Sequence, residues 1–304
     1  MRGLRVVVAA EEAAGVQVIR RLLAVPEPPE IVFVLTTPPA GSSRRALVHE
    51  AAEALGLRSQ PAELVRHPEL GDELQAEEVD LLVNVHSLFV VHPAVLEVPR
   101  IGSFNLHPGP LPQYAGLNAP SWAIYCGERT HAATVHWMDA GIDTGPIAYE
   151  ETFEITNKDT GLAVAGKCVR VGVPLLVRLV EQAAVDPEDI PRIDQDRRLR
   201  RYFDAGAPNG GRIDWTASAA EIVRFVRAAD YAPYPSQWGH PRTELLGRDV
   251  GVAKASVMGT AAAAAPGEVV EVIDCGTLVA AADGLVLVER LWLDGRYRRG
   301  SDLA

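Results

Sequence analysis

Short runs of apolar residues alternate with helical patterns along the first half of the chain. LRVVVAA (4–10) is brief and almost wholly apolar, as expected of a strand covered on both faces, and GVQVIRRLLAV (15–25) puts Val16, Ile19, Leu22 and Leu23 on one face of a helix. IVFVLTT (31–37) predicts a second strand, halted by Pro38 and Pro39. Residues 45–56 predict a helix, and VDLLVNV (79–85) predicts a third strand, buried in a parallel sheet. GSFNLH (102–107), HAATVHWMDAG (131–141) and GPIAYEETFEI (145–155) read as further strands. TGLAVAGKCVRVGVPLLVRLVEQ (160–182) reads as a long helix, whose interior Gly166 and Gly172 call for close packing or a kink. Strands separated by helices in this order define an open, doubly wound α/β sheet. A site in such a sheet lies beyond the C-terminal strand ends, which includes the residues just after Val85.

The pattern then changes. Residues 184–211 read as a connecting segment, and TASAAEIVRFVRAAD as a short helix with Thr216 as its N-cap. From 248 to 298 four short β-rich runs with turn residues between them predict a small barrel, OB-like or a related open form. The 304 residues suit two domains: 1–188 with the α/β sheet, a linker at 189–211, and 212–304 with a helix and the barrel.

Composition narrows the chemistry. No apolar run approaches the roughly 20 residues of a membrane helix, and the opening MRGLRVVVAAEEAAG reads as a strand rather than a secretory leader, so a cytoplasmic protein with no membrane partner is expected. A net charge of −11 argues against a surface that broadly attracts nucleic acid. The RRLRR cluster, Arg197 to Arg201, is the one local basic patch, and its ordinary reading is a solvated linker. Cys126, Cys168 and Cys275 form neither a disulfide framework nor a paired-ligand zinc site, so no metal is expected and all three read as small buried hydrophobes. AAEEAAG follows the first strand where a dinucleotide cradle would need Gly-x-Gly-x-x-Gly, and a nicotinamide cofactor loses favour.

The candidate chemistry lies in FNLHPGPLPQYAG (104–116). In an extended chain Asn105 and His107 face one way while Phe104 and Leu106 face the other. Pro108 keeps His107 out of the helical region, and the Pro-rich turn that follows fixes the chain behind the pair. Taken alone, the pair either satisfies backbone groups at a turn or performs chemistry. MDAGIDTGPI (138–147) is a glycine-bracketed turn holding Asp139 and Asp143; it either caps itself or brings a carboxylate to the same strand ends.

NLHPGPLPQYAGLNAPSWAIYCGE followed by TVHWMDAGIDTGPI resembles the folate-dependent formyltransferases, a family that includes methionyl-tRNA formyltransferase and sugar N-formyltransferases. The likeness is strong over residues 80–150 and weaker through GGRIDWTASAAEIVRFVRAAD into the barrel. It implies a Rossmann-like, mostly parallel domain with a smaller C-terminal OB-like β-barrel, 10-formyltetrahydrofolate as co-substrate, and Asn105, His107 and Asp143 at the catalytic positions. The residue types suit an amine attacking a formyl carbon. Asn105 would donate to the oxyanion; His107 would either donate as imidazolium or relay the amine's proton as imidazole; an ionised Asp143 would favour imidazolium and orient the ring. By the same resemblance the pterin would enter a pocket made by His86, Ser87, Leu88, Phe89 and Val90 and by Asp139, Gly141 and Ile142, with Leu111 and Pro112 near its tail.

The resemblance leaves the acceptor open. TTPPAGSSRRAL is short, and Ala115 stands where the tRNA-modifying members would carry Arg, so a small or carrier-bound amine is favoured over aminoacyl-tRNA. An N-hydroxyornithine-type amino acid and an amino-sugar nucleotide are the two candidates within that class. Trp215, Tyr234 and Trp238 either line an acceptor cleft between domains or belong to a core. Less favoured readings are a formyltetrahydrofolate hydrolase and a non-catalytic folate-binding module.

Overall fold

The computed structural model describes residues 3–38, 46–260 and 264–303. Contacts divide the chain into two units. Met1–Ala115, Ala132–Phe153 and Cys168–Tyr202 form the first; Gly116–His131, Glu154–Lys167 and Phe203–Ala304 form the second.

The chain begins β1 (Arg5–Ala10), α1 (Glu12–Leu22), β2 (Glu30–Thr36), α2 (Ala46–Ala54), β3 (Ser59–Pro61), α3 (Leu70–Ala76), β4 (Leu81–Val85), α4 (Pro93–Leu96) and β5 (Gly102–His107). It continues through β6 (Ala115–Gly116), α5 (Ala119–Tyr125), β7 (Thr130–Trp137), β8 (Ile147–Glu154), α6 (Gly161–Val185), β9 (Tyr202–Phe203) and α7 (Ala219–Ala228). Six strands close the chain: β10 (Arg242–Leu245), β11 (Arg248–Thr260), β12 (Val269–Ile273), β13 (Gly276–Ala280), β14 (Gly284–Leu293) and β15 (Arg296–Arg299).

In the first unit the strands lie in the order β3-β2-β1-β4-β5-β7-β8. The pairings from β3 through β5 are parallel, and β7 runs antiparallel to β5. The doubly wound α/β sheet expected from the apolar runs is present. Its short outer strand β3 and the helix α3 carry little periodic signal and escape a reading of pattern. The chain winds outward from β1 and then restarts at β4 on the other side, so the topological switch falls between β1 and β4. Val7, Ala9, Phe33, Leu35, Leu74 and Leu82 form the core on one side of the sheet. On α6 the two interior glycines differ. A Cβ on Gly172 would stand 2.7 Å from Leu106 Cδ1 and 3.2 Å from Ala133 Cβ, so the helix packs on β5 and β7 there, whereas nothing lies within 4 Å of Gly166.

The second unit holds an antiparallel half-barrel, with strand order β10-β11-β14-β13-β12 and β15 beside β14. Trp215, Ile222, Val226, Val252, Val286 and Leu291 fill its core. Trp215 Nε1 donates to Thr243 Oγ1 at 2.8 Å, which anchors this tryptophan in that core. The N-cap of α7 is Ser218, not the expected Thr216. Ser218 Oγ accepts from Glu221 N at 3.3 Å while Glu221 Oε2 accepts from Ser218 N at 2.9 Å, a reciprocal box that needs Glu three residues after the cap. Thr216 instead bonds back to Asp214.

Of the cysteines only Cys168 is buried; Cys126 and Cys275 are exposed, against the expectation of three buried thiols. Most of the PPAGSSRRAL stretch, residues 39–45, lies outside the described residues. Among the described residues no helix is long and apolar enough to cross a membrane, and no cluster of three His, Cys, Asp or Glu is arranged to hold a metal. Ser218→Ala should cost about 1 kcal/mol of stability in urea denaturation, and Thr216→Ala clearly less.

Candidate active site

The site begins as a row of polar side chains crossing an apolar sheet. Asn84 on β4 is in register with Asn105 on β5, and Asn105 with His136 on β7. The strands flanking each residue are buried and apolar, so the three must satisfy one another. Their hydrogen bonds run in one direction. His136 Nδ1 lies 2.7 Å from the Trp137 carbonyl, which only accepts, so Nδ1 carries the proton. Nε2 lies 3.1 Å from Asn105 Nδ2 and accepts from it whenever it carries no proton, and Asn105 Oδ1 accepts from Asn84 Nδ2 at 2.9 Å. The chain ends on Asn84 Oδ1, a buried acceptor with no hydrogen-bond partner among the described residues.

Two residues beyond Asn105, His107 faces the same side of β5 and is 3% exposed. Its Nε2 donates to the Tyr114 carbonyl at 2.6 Å, and its Nδ1 lies 3.5 Å from Asp143 Oδ2. The other carboxylate oxygen of Asp143 lies 3.4 Å from Asn105 Nδ2 and 3.4 Å from His136 Nε2. Asn105, His107 and Asp143, 38 residues apart at the extremes, thus meet around one carboxylate, and His136 joins them. Burial holds His107 below the ordinary histidine value. Asp143 and the Tyr114 carbonyl pull the other way but weigh less, while His136 and His86 add to the lowering. Asp143 does act in favour of the imidazolium, but burial outweighs it in the resting protein.

Asp143 reaches this position from the turn between β7 and β8. It adopts a left-handed φ of 54°, which Asp tolerates better than most residues. A Cβ on Gly145 would stand 2.0 Å from the Trp137 carbonyl, so only glycine lets the turn close there. Asp139 caps the turn, accepting from Gly141 N at 3.0 Å and from Thr144 Oγ1.

The residues expected around a pterin fall on three segments. After β4, His86 takes a φ of 59° with Nδ1 3.8 Å from Glu12 Oε2, and Ser87 Oγ is buried without a hydrogen-bond partner among the described residues. Leu88 and Val90 are 58% and 62% exposed, whereas Phe89 packs on the sheet's core. In the Pro-rich turn Leu111 and Pro112 are buried and joined by a cis peptide bond. On the third segment Asp139, Gly141 and Ile142 are exposed.

Pattern reading passed over Asn84 and His136. Each had a signal: Asn84 is the one polar residue in VDLLVNV apart from Asp80, and His136 is a polar residue deep inside a strand. Gln195, which carries no signal in the sequence, and Arg200, read there only as part of a basic patch, bond to the main chain of the Asp143 turn.

The family model described as formyl transferase matches residues 4–180, more than half of the chain, and that described as formyl transferase, C-terminal domain, matches residues 207–300. The chain belongs to the formyl transferase family. Among solved structures, an N-formyltransferase from Helicobacter canadensis, described in complex with folinic acid and dTDP-3-aminofucose, is 18% identical over 95% of this chain and 99% of that one, with a TM-score of 0.68. WlaRD, a sugar 3N-formyl transferase described with dTDP and 5-N-formyl-THF, is 16% identical over 95% and 98%, with a TM-score of 0.69. HypX from Aquifex aeolicus, described in complex with tetrahydrofolic acid, is 19% identical over all of this chain but 47% of that one, with a TM-score of 0.62. At these identities the likeness is one of fold.

The buried His107 makes stability depend on pH. The unfolded ring titrates near about 6.5 and the folded ring below that, so between the two values the unfolded state binds more protons. Stability is full above that window and falls as the pH drops into it. Urea midpoints measured from about pH 7.5 down to about pH 5 should decline more steeply for the wild type than for His107→Gln.

Proposed function

We propose that the protein is an N-formyltransferase that moves the formyl group of 10-formyltetrahydrofolate to the primary amine of a small acceptor, an amino-sugar nucleotide first among them. The observation that carries this reading is the convergence of Asn105, His107 and Asp143, with His107 Nδ1 3.5 Å and Asn105 Nδ2 3.4 Å from the carboxylate.

The folate supplies the formyl carbon; the side chains handle the charge that develops around it. His107 has its Nε2 proton committed to the Tyr114 carbonyl, so Nδ1 presents a lone pair toward Asp143. Two acceptors 3.5 Å apart, one on the ring and one on the carboxylate, suit an acceptor amine that donates to both. As the amine attacks, Nδ1 takes its proton, and Asp143 stabilises the imidazolium that forms; returning that proton to N10 as the formyl C–N10 bond breaks would release tetrahydrofolate and restore the neutral ring. A ring kept neutral by burial is suited to this task, because a base must be unprotonated before it acts. Asn105 Nδ2 donates to the developing oxyanion, exchanging its longer bond, the one to Asp143, for one to that oxygen.

The folate itself finds suitable groups at the end of β4. Asn84 Oδ1 and Ser87 Oγ are buried and unpartnered among the described residues, and Leu88 and Val90 offer apolar surface beside them. A flat heterocycle with N–H and C=O edges satisfies both features. The folate ligands of the similar solved structures support the same donor. Their near end-to-end match with two sugar N-formyltransferases favours a sugar-nucleotide amine over aminoacyl-tRNA, and the short segment after β2 agrees. The domain boundaries expected at 1–188, 189–211 and 212–304 belong to this reading.

One assay decides between the alternatives. The protein is incubated with 10-formyltetrahydrofolate alone, then with amino-sugar nucleotides, N-hydroxyornithine and aminoacyl-tRNA, and tetrahydrofolate release is followed. Release only with amino sugar is expected; release without amine would make the protein a hydrolase, and none with any amine would sink the reading. Asn105→Ala, His107→Ala and Asp143→Ala should each lose at least about a hundredfold in kcat, some 3 kcal/mol, while remaining folded by circular dichroism.

A further inference from the structure

The turn that carries Asp143 draws part of its order from a distant stretch of chain. Gln195 Nε2 donates to two of its carbonyls, Asp143 O at 3.0 Å and Gly145 O at 2.7 Å. Arg200 Nη2 donates to Ile142 O at 2.8 Å, and Nη1 reaches Asp143 O at 3.4 Å. Three carbonyls of one short turn thus receive donors from two side chains 50 to 58 residues further on. That stretch is itself anchored at both ends. Ile193 exchanges backbone bonds with Ile147 at 2.8 and 3.0 Å, Trp137 Nε1 donates to Pro191 O at 2.8 Å, and the Arg192 guanidinium lies 4.0 Å from the Trp137 ring centre. At its far end Arg201 N donates to Pro112 O at 3.2 Å, and Ala115 N to Arg201 O at 3.1 Å. Gln195 and Arg200 therefore project from a strap tied to β7 and β8 on one side and to the Pro-rich turn behind His107 on the other.

We infer that Gln195 and Arg200 are positioning residues for formyl transfer, holding the main chain of the turn so that the Asp143 carboxylate stays against His107 and Asn105. The inference rests on the catalytic reading above. Both side chains bond to carbonyls only, so neither meets the reacting atoms. The demand for them follows from the turn itself. Asp143 sits at φ 54°, a conformation that an unbraced residue leaves readily, and a shift of about 1 Å in a catalytic group costs up to roughly a hundredfold in rate. The donor chemistry is also specific. A Gln amide supplies two N–H groups for two carbonyls; a Glu of the same size supplies none and sets negative oxygens against them.

The test uses Gln195→Ala, Gln195→Glu and Arg200→Ala, with Arg198→Ala as control, since Arg198 lies in the same strap but pairs with Asp196. With the acceptor that the release assay identifies, kcat should fall about ten- to a hundredfold in the first three while the acceptor KM stays within about twofold; Gln195→Glu should be no better than Gln195→Ala, and the control unchanged. A second readout needs no turnover: the NMR titration of His107. The groups acting on that ring are Asp143, His136, His86 and the Tyr114 carbonyl, and Asp143 is the only anion among them. Displacing it in Gln195→Ala or Arg200→Ala should move the His107 midpoint to lower pH. A wild type that formylates no amine while these midpoints still fall would defeat the functional reading and leave the brace standing. An active wild type whose Gln195→Ala and Arg200→Ala variants keep both its kcat and its His107 midpoint would overturn the brace.

Discussion

Polar groups set into an apolar sheet, buried at Asn84 and His136 and half-buried at Asn105, satisfy one another, and everything else in this site follows from how they do so. Asn84, Asn105 and His136 stand side by side on three neighbouring strands, and the direction of their hydrogen bonds is imposed from one end by the Trp137 carbonyl. That oxygen can only accept, so it takes the Nδ1 proton of His136 and leaves Nε2 facing Asn105, whose NH2 lies toward both His136 and Asp143. An amide has two ends of nearly equal shape. Here the network selects which one faces the carboxylate, and the remaining acceptor, on Asn84, is left for something outside the row.

The same burial that makes this network necessary tunes His107. A carboxylate 3.5 Å away would on its own hold the ring charged, yet removal from water weighs more and keeps it neutral. The outcome is a base at rest with its stabilising anion already in place. Charge appears on the ring only when a proton arrives, and the interaction with Asp143 strengthens at that moment. Such a site costs the fold something under acidic conditions, where an unfolded histidine accepts a proton that the folded one resists.

The two halves of the polar cluster are held by different means. Asn105 and His107 stand on a central strand and inherit its rigidity, with the Pro-rich turn closing behind them. Asp143 stands on a turn, where local contacts are few, and Asp139, Gly145 and the strap around Gln195 and Arg200 compensate. Rigid elements supply one side of the geometry and long-range bonds to main-chain carbonyls supply the other.

Much of this could be read from the residues. Apolar runs and their periods announced the α/β sheet and the later β-rich region, and a period of two placed Asn105 and His107 on one face of one strand. The Gly-bracketed turn marked where a carboxylate could join them. Periodicity tells which face a side chain occupies but not which strand lies next to it, and strand neighbours are set by how the whole sheet winds. The register joining Asn84 and His136 to Asn105, across 21 and 31 residues, the bonds from Gln195 and Arg200, and the neutral state of a histidine beside a carboxylate therefore came only with the tertiary structure, since each depends on distance and burial between segments far apart in the chain.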